Sequence, residues 1–429
     1  MSPTRRGGGL ATAAKGARFR QKYPPTRRTR WRPRTLSDRQ VRSAALTWLL
    51  PFLKSALVRT FRPATLRDTA DLLLRAAATR SSVHAARSQC RRGRSDRTAR
   101  WVFEHLALGK TQRAITLALR RQIRPFLPVT PVDIAIDDHD RPYYGQPQDP
   151  KRKQVVKTKE ERGTHRAHRF ASLSVLLPNF RLVASLRFRP RNGGALSSVQ
   201  KALHDFHQAG GKVRDAFLDR GYYAYGVLSW LKTQVEAGKL HGAVVAMRLG
   251  SRQRTRWEVG KKSYTTTHTM KGPKPGDPPL VFTVHVVVRY QMGKKWHRHG
   301  CQYFIYAVFG DLPLKTVADR YRGRFGIESS YRILGQAMAW TTSRSPALRL
   351  LHVAVGMMLQ NEWVILKLHY ASEGRQGPAG FVVREELLRF GKLLHMLLRA
   401  VGYRLGNVDR VENRRPLPVR LRRQGLSVS

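Results

Sequence analysis

Two aspartates in this sequence each end an apolar run, so their carboxylates can face each other if the two runs are neighbours. Asp137 ends the apolar run VDIAID within the stretch AIDDHDRPYYG, and Asp219 ends the apolar run AFLD. If the two runs are neighbouring strands, their carboxylates meet at one edge of a sheet. Like charges in contact need a proton or a cation between them, and Mg²⁺ held by a few carboxylates and by substrate phosphates is the usual solution. The pair therefore predicts a magnesium site.

A helix late in the chain offers a third acidic ligand. In YRGRFGIESSYRILG, Arg324 and Glu328 follow Tyr321 at offsets of three and seven. At about 100 degrees per residue, these offsets keep a phenol, a guanidinium and a carboxylate on one helical face, where all three can point at the same phosphate or metal ion. The alternative interpretation is an exposed helix with a salt bridge between Arg324 and Glu328.

The elements that must position these residues follow an α/β pattern. After residue 130 the chain has three apolar runs typical of strands, VDIAID, HRFASLSVLLP and FRLVASLRFRP, and then a helix, a strand, a helix and a strand. A doubly wound dinucleotide-binding fold would alternate from the start and would carry a glycine fingerprint, which this chain lacks. We therefore predict an α/β ribonuclease-H-like catalytic core over residues 130–247 that resumes over 301–345.

Residues 248–300 break this rhythm and predict a β-rich insert. The segment is punctuated by glycine and proline and is heavily basic. Its Trp257 and Trp296 could stack on a base flipped out of a duplex, while Lys294 and Lys295 hold the backbone. The alternative is that both tryptophans belong to the core.

The overall charge indicates a polyanionic partner. Lysine and arginine number 81 against 27 aspartates and glutamates, which gives a formal net charge of +54 on 429 residues. Nucleic acid is the leading candidate, ahead of a membrane surface. The most apolar long segment, 348–368, is interrupted by polar residues and predicts a buried helix rather than a membrane span. Two cysteines exclude a disulfide framework and fit a reducing cytoplasm. With a DNA partner, we expect the protein to be associated with the nucleoid.

Helical segments flank the predicted core. Residues 1–35 hold eleven basic and no acidic residues and predict a disordered basic arm. Residues 36–123 predict an all-helical DNA-binding domain, in which Arg97 and Arg100 lie on the second helix of a possible helix-turn-helix. An ordinary helical bundle with a basic loop is the alternative. Residues 346–429 predict a helical C-terminal region with a basic tail.

Taken together, three segments resemble a known family. AIDDHDRPYYG, AFLDRGYY and YRGRFGIESSYRILGQA are similar to the three acidic signatures of the insertion-sequence DDE transposases whose catalytic domain carries a β-strand insert. The third signature of that family is tyrosine, two residues, arginine, three residues, glutamate, six residues and lysine. Tyr321, Arg324 and Glu328 match it, whereas Gly335 occupies the lysine position.

The resemblance implies a site and a cofactor. Asp137, Asp219 and Glu328 would hold two Mg²⁺ ions, for which Mn²⁺ can substitute, and Tyr321 and Arg324 would bind the scissile or an adjacent phosphate. Strand parity alone does not choose between Asp137 and Asp138 in a sheet that is buried on both faces. The family pattern favours the first of the two.

The expected function is therefore DNA transposition. Water would free a 3′-hydroxyl at the end of a mobile element, and that hydroxyl would attack target DNA. The partners would be double-stranded DNA, as element ends and target, and a second copy of the chain, because two ends must be joined. The alternatives are a catalytically inactive, domesticated or decayed DNA-binding protein, which Gly335 would fit, and a nuclease that cuts without joining.

Overall fold

Five helices come first in the described part of the chain. The structure is a computed structural model, and it describes residues 35–88, 95–145, 154–161, 163–177, 180–191, 194–290, 301–374, 381–384 and 386–402. The first helix begins at a capping box, in which the Gln40 N–H donates to Ser37 Oγ at 3.3 Å and the Ser37 N–H donates to Gln40 Oε1 at 2.8 Å. The five are α1 (Asp38–Ala56), α2 (Pro63–Ala78), α3 (Val83–Ser88), α4 (Asp96–Glu104) and α5 (Leu108–Ile123).

A mixed sheet follows these helices, and nine of its strands lie within the described residues. They are β1 (Val132–Pro142), β2 (Val156–Glu161), β3 (Thr164–Leu177), β4 (Phe180–Arg189), β5 (Val213–Leu218), β6 (Gly242–Ala246), β7 (Tyr264–Met270), β8 (Leu280–Tyr290) and β9 (Cys301–Phe309). The later helices are α6 (Ala195–Gln208), α7 (Tyr225–Glu236), α8 (Ser251–Trp257), α9 (Leu314–Leu334), α10 (Pro346–Tyr370) and α11 (Phe390–Ala400), with a small hairpin of β10 (Ser372–Gly374) and β11 (Phe381–Val383) before α11.

The strand order confirms the predicted fold class. β1 lies between β3, to which it is antiparallel, and β5, to which it is parallel, while β4 pairs with β3 and β6 is parallel to β5. The order β4-β3-β1-β5-β6 is the ribonuclease-H-like arrangement expected from three strands followed by alternating helices and strands. Helices precede and follow this sheet, so the chain is α/β with helical ends.

The β-rich segment extends this same sheet. β9 pairs antiparallel with β6, β8 pairs with β9, and β7 forms the far edge beyond β8. The strands contributed by residues 248–300 therefore widen the central sheet instead of forming a layer of their own. Residues 291–300 lie outside the described part of the chain.

One charged segment, residues 157–169, folds differently from the sequence expectation. KTKEERGTHRAHR predicts a loop because it is rich in charge, yet residues 157–161 lie in β2 and residues 164–169 lie in β3. The two strands pair antiparallel, with Val156 opposite Ala167 and Glu161 opposite Thr164. Backbone pairing with β3, which is itself fixed by β1, outweighs the weak strand propensity of lysine and glutamate here.

The apolar segment 348–368 forms most of α10, which is buried along its length. One of its polar residues bonds to the sheet. The Asn361 side chain accepts the Val183 N–H and donates to the Val183 carbonyl, both at 2.8 Å. The side chain thereby satisfies backbone groups of β4 that have no further strand to pair with at this position. Among the described residues, none of the helices is both long and apolar enough to cross a membrane.

Candidate active site at the edge of the sheet

Asp137 and Asp219 meet at one edge of the sheet. β1 and β5 run parallel with Ile136 opposite Leu218, so the next residue of each strand is one of the two aspartates. Arg324 on α9 contacts both, with Nη2 at 3.2 Å from Asp137 Oδ2 and 3.0 Å from Asp219 Oδ1. The predicted carboxylate pair is thus brought together around one guanidinium, and we call Asp137, Asp219 and Arg324 the candidate active site.

The two carboxylates differ in their exposure to solvent. The Asp137 side chain is 10% exposed and that of Asp219 is 33% exposed. Burial raises the pKa of Asp137 to about 7, the Arg324 guanidinium opposes this rise, and the charge of Asp219 adds to it. A proton and a cation therefore compete for Asp137 near neutral pH.

Asp138 points away from this pair because successive side chains of a strand alternate between faces. Its carboxylate accepts from Arg189 Nη1 at 2.6 Å and from the Tyr222 hydroxyl at 2.7 Å. Asp140 is engaged in a two-pronged contact with Arg169, at 2.8 and 2.7 Å. Of the three clustered aspartates, Asp137 is the one that shares a partner with Asp219.

Tyr321 lies inside the protein and not at the open edge. The residue is 2% exposed, its hydroxyl donates to the Leu218 carbonyl at 3.0 Å, and its ring lies 4.4 Å from that of Tyr306. The expectation that this phenol binds a phosphate is not met in this arrangement, because the hydroxyl is already bonded beneath the site. Its position three residues before Arg324 instead anchors α9 on β5.

The remaining signature positions lie along α9. Glu328 follows Arg324 by one helical turn, and its side chain lies outside the part that the structure describes. Gly335, at the family lysine position, is the residue at which α9 ends, and its N–H donates to the Tyr331 carbonyl at 2.9 Å.

Sequence reasoning missed two aromatic residues beneath the site. The His139 ring stacks on the Tyr331 ring at 5.1 Å, and the Tyr331 hydroxyl lies 2.8 Å from Ser172 Oγ. Burial lowers the pKa of His139 to about 4, so the imidazole is neutral at physiological pH. Neutral groups under Asp137 provide the low-polarity surroundings that disfavour its charge. Only the proximity of His139 to the aspartates in sequence could have indicated this role.

Of the two predicted base-stacking tryptophans, the structure describes Trp257, which lies in the apolar core. Trp257 is 6% exposed, packs edge-on against His268 at 5.5 Å and belongs to the apolar core. This corrects the expectation for Trp257, because the ring is closed to a base and follows the alternative of a core tryptophan. Trp296, Lys294 and Lys295 lie outside the described residues.

The helix predicted to read DNA presents a basic face with one aromatic ring. α4 begins at Ser95, whose Oγ accepts the Thr98 N–H at 3.3 Å. Arg97 is exposed, and Arg100 is paired with Asp96 at 2.5 Å while remaining 63% exposed. The nearby Trp101 is 41% exposed.

The donor set of the site suits a hard divalent cation. Asp137 and Asp219 present carboxylate oxygens, the ligands that Mg²⁺ and Mn²⁺ prefer, and both turn toward the same positive charge. Within the described ranges, no cluster of three or more His, Cys, Asp or Glu side chains forms a complete metal site. The two aspartates therefore fit part of such a site, and any third ligand has to come from elsewhere.

Comparison with models of protein families identifies the family of the chain. A family model described as "Transposase DDE domain" matches residues 130–359, more than half of the chain. Among solved structures, the chain is similar to a piggyBac transposase in a "synaptic complex with hairpin DNA", with 13% identity and a TM-score of 0.48 over 90% of this chain and 82% of that one. The comparison with curated proteins found no match.

Proposed function

The chain belongs to the family of transposase DDE domains, and on that premise we propose that it cuts and joins DNA at the ends of a mobile element. Asp137, Asp219 and Glu328 would hold two Mg²⁺ or Mn²⁺ ions. The observation that carries this proposal is the meeting of Asp137 and Asp219 around Arg324 at the edge of the sheet. Bound ions would stabilise the charge that develops on the attacking and the leaving oxygens of an in-line displacement.

The proposed reaction has two balanced steps. Water attacks a phosphodiester at the element end and leaves a 3′-hydroxyl on one fragment of the cut strand and a 5′-phosphate on the other. That 3′-hydroxyl then attacks a target phosphodiester, which forms one new bond and releases a 3′-hydroxyl of the target strand. Joining two ends calls for two active sites, so we propose at least a homodimer on DNA.

Arg324 would hold the DNA phosphate beside the cut. Its planar guanidinium can form two parallel hydrogen bonds to a phosphate, which a lysine cannot do. In the structure the same group pairs with both Asp137 and Asp219. If a DNA phosphate replaced these carboxylates as the partner of Arg324, the carboxylate oxygens would be free to bind metal ions. DNA and metal ions would then bind at the site together.

Other residues position the reactants or contact DNA at a distance. Tyr321 holds α9 against β5, as its bond to the Leu218 carbonyl supports. On α4, Arg97 and Arg100 would contact phosphates or base edges, and the exposed Trp101 lies beside them. Lys294, Lys295 and Trp296 remain predicted contacts of the insert.

The test is strand cleavage and DNA binding by one protein preparation. We expect the wild-type chain to cleave duplex carrying the DNA that flanks its gene, with Mg²⁺ or Mn²⁺, and Asp219→Ala to bind that duplex equally well without cleaving it. Loss of binding together with cleavage, in a folded variant, would contradict a purely catalytic role for Asp219. Tight wild-type binding without cleavage under either metal would favour the inactive DNA-binding protein.

A further inference from the structure

A second arginine–aspartate cluster lies directly below the candidate active site. Asp133 and Asp215 precede the two site aspartates by four residues on β1 and β5, and Arg320 precedes Arg324 by four residues on α9. Arg320 Nε donates to Asp133 Oδ2 at 3.0 Å, and its Nη2 bonds to both Asp133 and Asp215. We call Asp133, Asp215 and Arg320 the lower cluster. Each of the three elements thus contributes one residue to each of two clusters.

The lower cluster is largely buried, and a neighbouring arginine balances its charge. Asp215 is fully buried, and the side chains of Asp133 and Arg320 are 12% and 22% exposed. Arg214 adds a second guanidinium, with Nε at 2.8 Å from Asp133 Oδ1, and His241 Nδ1 lies 3.0 Å from Asp215 Oδ1. Removing one partner from such a buried network leaves an unpaired charge and is costly.

An apolar layer separates the two clusters. Phe217, Tyr306 and Tyr321 pack together between α9 and the sheet, and the Arg320 guanidinium lies 5.4 Å from the centre of the Phe217 ring. Four residues advance about 6 Å along a helix but about 13 Å along a strand. The side chains of Arg320 and Arg324 must therefore diverge, so that one guanidinium reaches the lower aspartates and the other reaches the site aspartates. This requires side chains as long as arginine.

We propose that the lower cluster fixes the position of α9 along the sheet and so places Arg324 of the candidate active site against its two aspartates. Asp133, Asp215 and Arg320 are then positioning residues for the reaction, and this role rests on the proposed function. A displacement of about 1 Å at a reacting centre can lower a rate roughly 100-fold. A cluster that lies about one helical turn below the candidate active site can therefore control the chemistry.

Two variants test this role against a matched control. Arg320→Lys keeps the charge but loses the planar fork that reaches both carboxylates, and Asp133→Asn removes one carboxylate. The control is Asp205→Asn, because Asp205 is 3% exposed and accepts from Arg187 Nε at 2.7 Å, in an equally buried pair that joins β4 to α6. All three variants are expected to lower the melting temperature. If Asp133→Asn does not fold, Arg320→Lys carries the test.

The first readout does not depend on activity. Hydrogen exchange of α9 peptides, measured on the metal-free protein below its melting temperature, is expected to be faster over residues 321–334 in Arg320→Lys and Asp133→Asn and unchanged in Asp205→Asn. Equal α9 exchange in all three variants would overturn the proposal. This result decides the positioning role even if the wild-type chain cleaves no DNA, in which case only the proposed function fails.

The second readout separates positioning from stability. We expect kcat for strand cleavage to fall roughly 10- to 100-fold in Arg320→Lys, with a higher metal concentration at half-maximal rate and an unchanged KM for DNA. Asp205→Asn should keep the wild-type kcat and metal dependence at the same loss of melting temperature. A kcat for Arg320→Lys equal to that of the control would contradict the proposal.

Discussion

At the scale of single residues, neighbouring carboxylates of one strand have different partners. Asp137 faces Arg324 and Asp219, Asp138 faces Arg189 and Tyr222, and Asp140 faces Arg169. The sequence predicts an acidic strand end but not this division of partners, because both faces of β1 are covered. The residues that decide it come from β3, β4, the segment after β5 and α9, all later in the chain.

Because Asp137 and Asp138 have different partners, their substitution should have opposite effects on cleavage and on stability. Asp137→Asn should lower strand cleavage about a thousandfold or more without lowering the melting temperature, because burial already disfavours the charge at that position. Asp138→Asn should keep cleavage and cost roughly 1.5–3 kcal/mol, since Arg189 loses a carboxylate partner. Cleavage assays and thermal melting on both variants check this. Activity in Asp137→Asn and its loss in Asp138→Asn would make Asp138 the ligand.

A buried glutamate predicts a pH dependence of stability. Glu362 on α10 is 8% exposed and lines a cavity of about 380 Å³ between α1, α5 and α10. Burial raises its pKa, and a hydrogen bond from Gln122 Nε2 at 3.3 Å offsets part of that rise. Because the folded pKa lies above the unfolded value of about 4.3, stability from this group is complete below the unfolded pKa and is lost as pH rises through the folded pKa.

Glu362→Gln removes this titration. The variant should therefore gain melting temperature relative to the wild type as the pH is raised from below the unfolded pKa to neutral and above. Melting curves across that range measure the difference. A difference between the two proteins that does not change with pH would show that Glu362 is not the titrating group.

At the scale of elements, the strands and helices of the core follow from apolar periodicity, whereas their mutual positions do not. VDIAID and AFLD predict strand ends, but β1 continues to Pro142 because β3 pairs along its whole length. The offsets of Arg324 and Glu328 predict one helical face, yet nothing in the sequence marks Arg320 as the partner of Asp133 and Asp215. Contacts between elements distant in the chain are set by packing, which local patterns do not encode.

The close contact between α9 and α10 predicts that a methyl group added at Gly356 of α10 destabilises the protein. A Cβ on Gly356 of α10 would lie 2.5 Å from Leu334 Cδ1 and 2.9 Å from the Ala337 carbonyl oxygen, just after the end of α9. Gly356→Ala should cost about 1–3 kcal/mol by overpacking and should slow cleavage by displacing the end of α9. Thermal melting and cleavage rates measure both effects.

Gly391 on α11 offers the matched control, because a Cβ there meets no atom within 4 Å. Gly391→Ala should stabilise the protein by up to about 1 kcal/mol through helix propensity, with unchanged cleavage. A Gly356→Ala protein that melts at or above the wild-type temperature would mean that α10 does not constrain α9.

At the scale of the whole molecule, the net charge of +54 predicts how the proposed binding to DNA depends on salt. Cations that neutralise phosphates release counterions, so the logarithm of the binding constant falls linearly with the logarithm of salt concentration, by about 0.9 for each phosphate contact. Composition alone predicts this behaviour, and it predicts nothing about where the cut is made. In the proposed function, the place of the cut is set by the acidic pair Asp137 and Asp219.

Residues 1–34, which hold eleven basic and no acidic residues, are predicted to contribute to this slope. Their removal should weaken duplex binding and make the salt slope shallower, because fewer phosphates are neutralised. Replacing the same lysines and arginines with glutamine separates the effect of charge from that of chain length. An unchanged slope in both proteins would place the phosphate contacts elsewhere in the chain.

The measurement that tests the central claim most directly is strand cleavage and joining by the wild-type protein and by Glu328→Gln, on labelled duplex carrying the DNA that flanks the gene. With Mg²⁺ or Mn²⁺, the wild type should nick the duplex and yield joined product. Glu328→Gln should bind the duplex and do neither. Metal-dependent nicking and joining that persist in Glu328→Gln would contradict the assignment of Glu328 as the third acid beside Asp137 and Asp219.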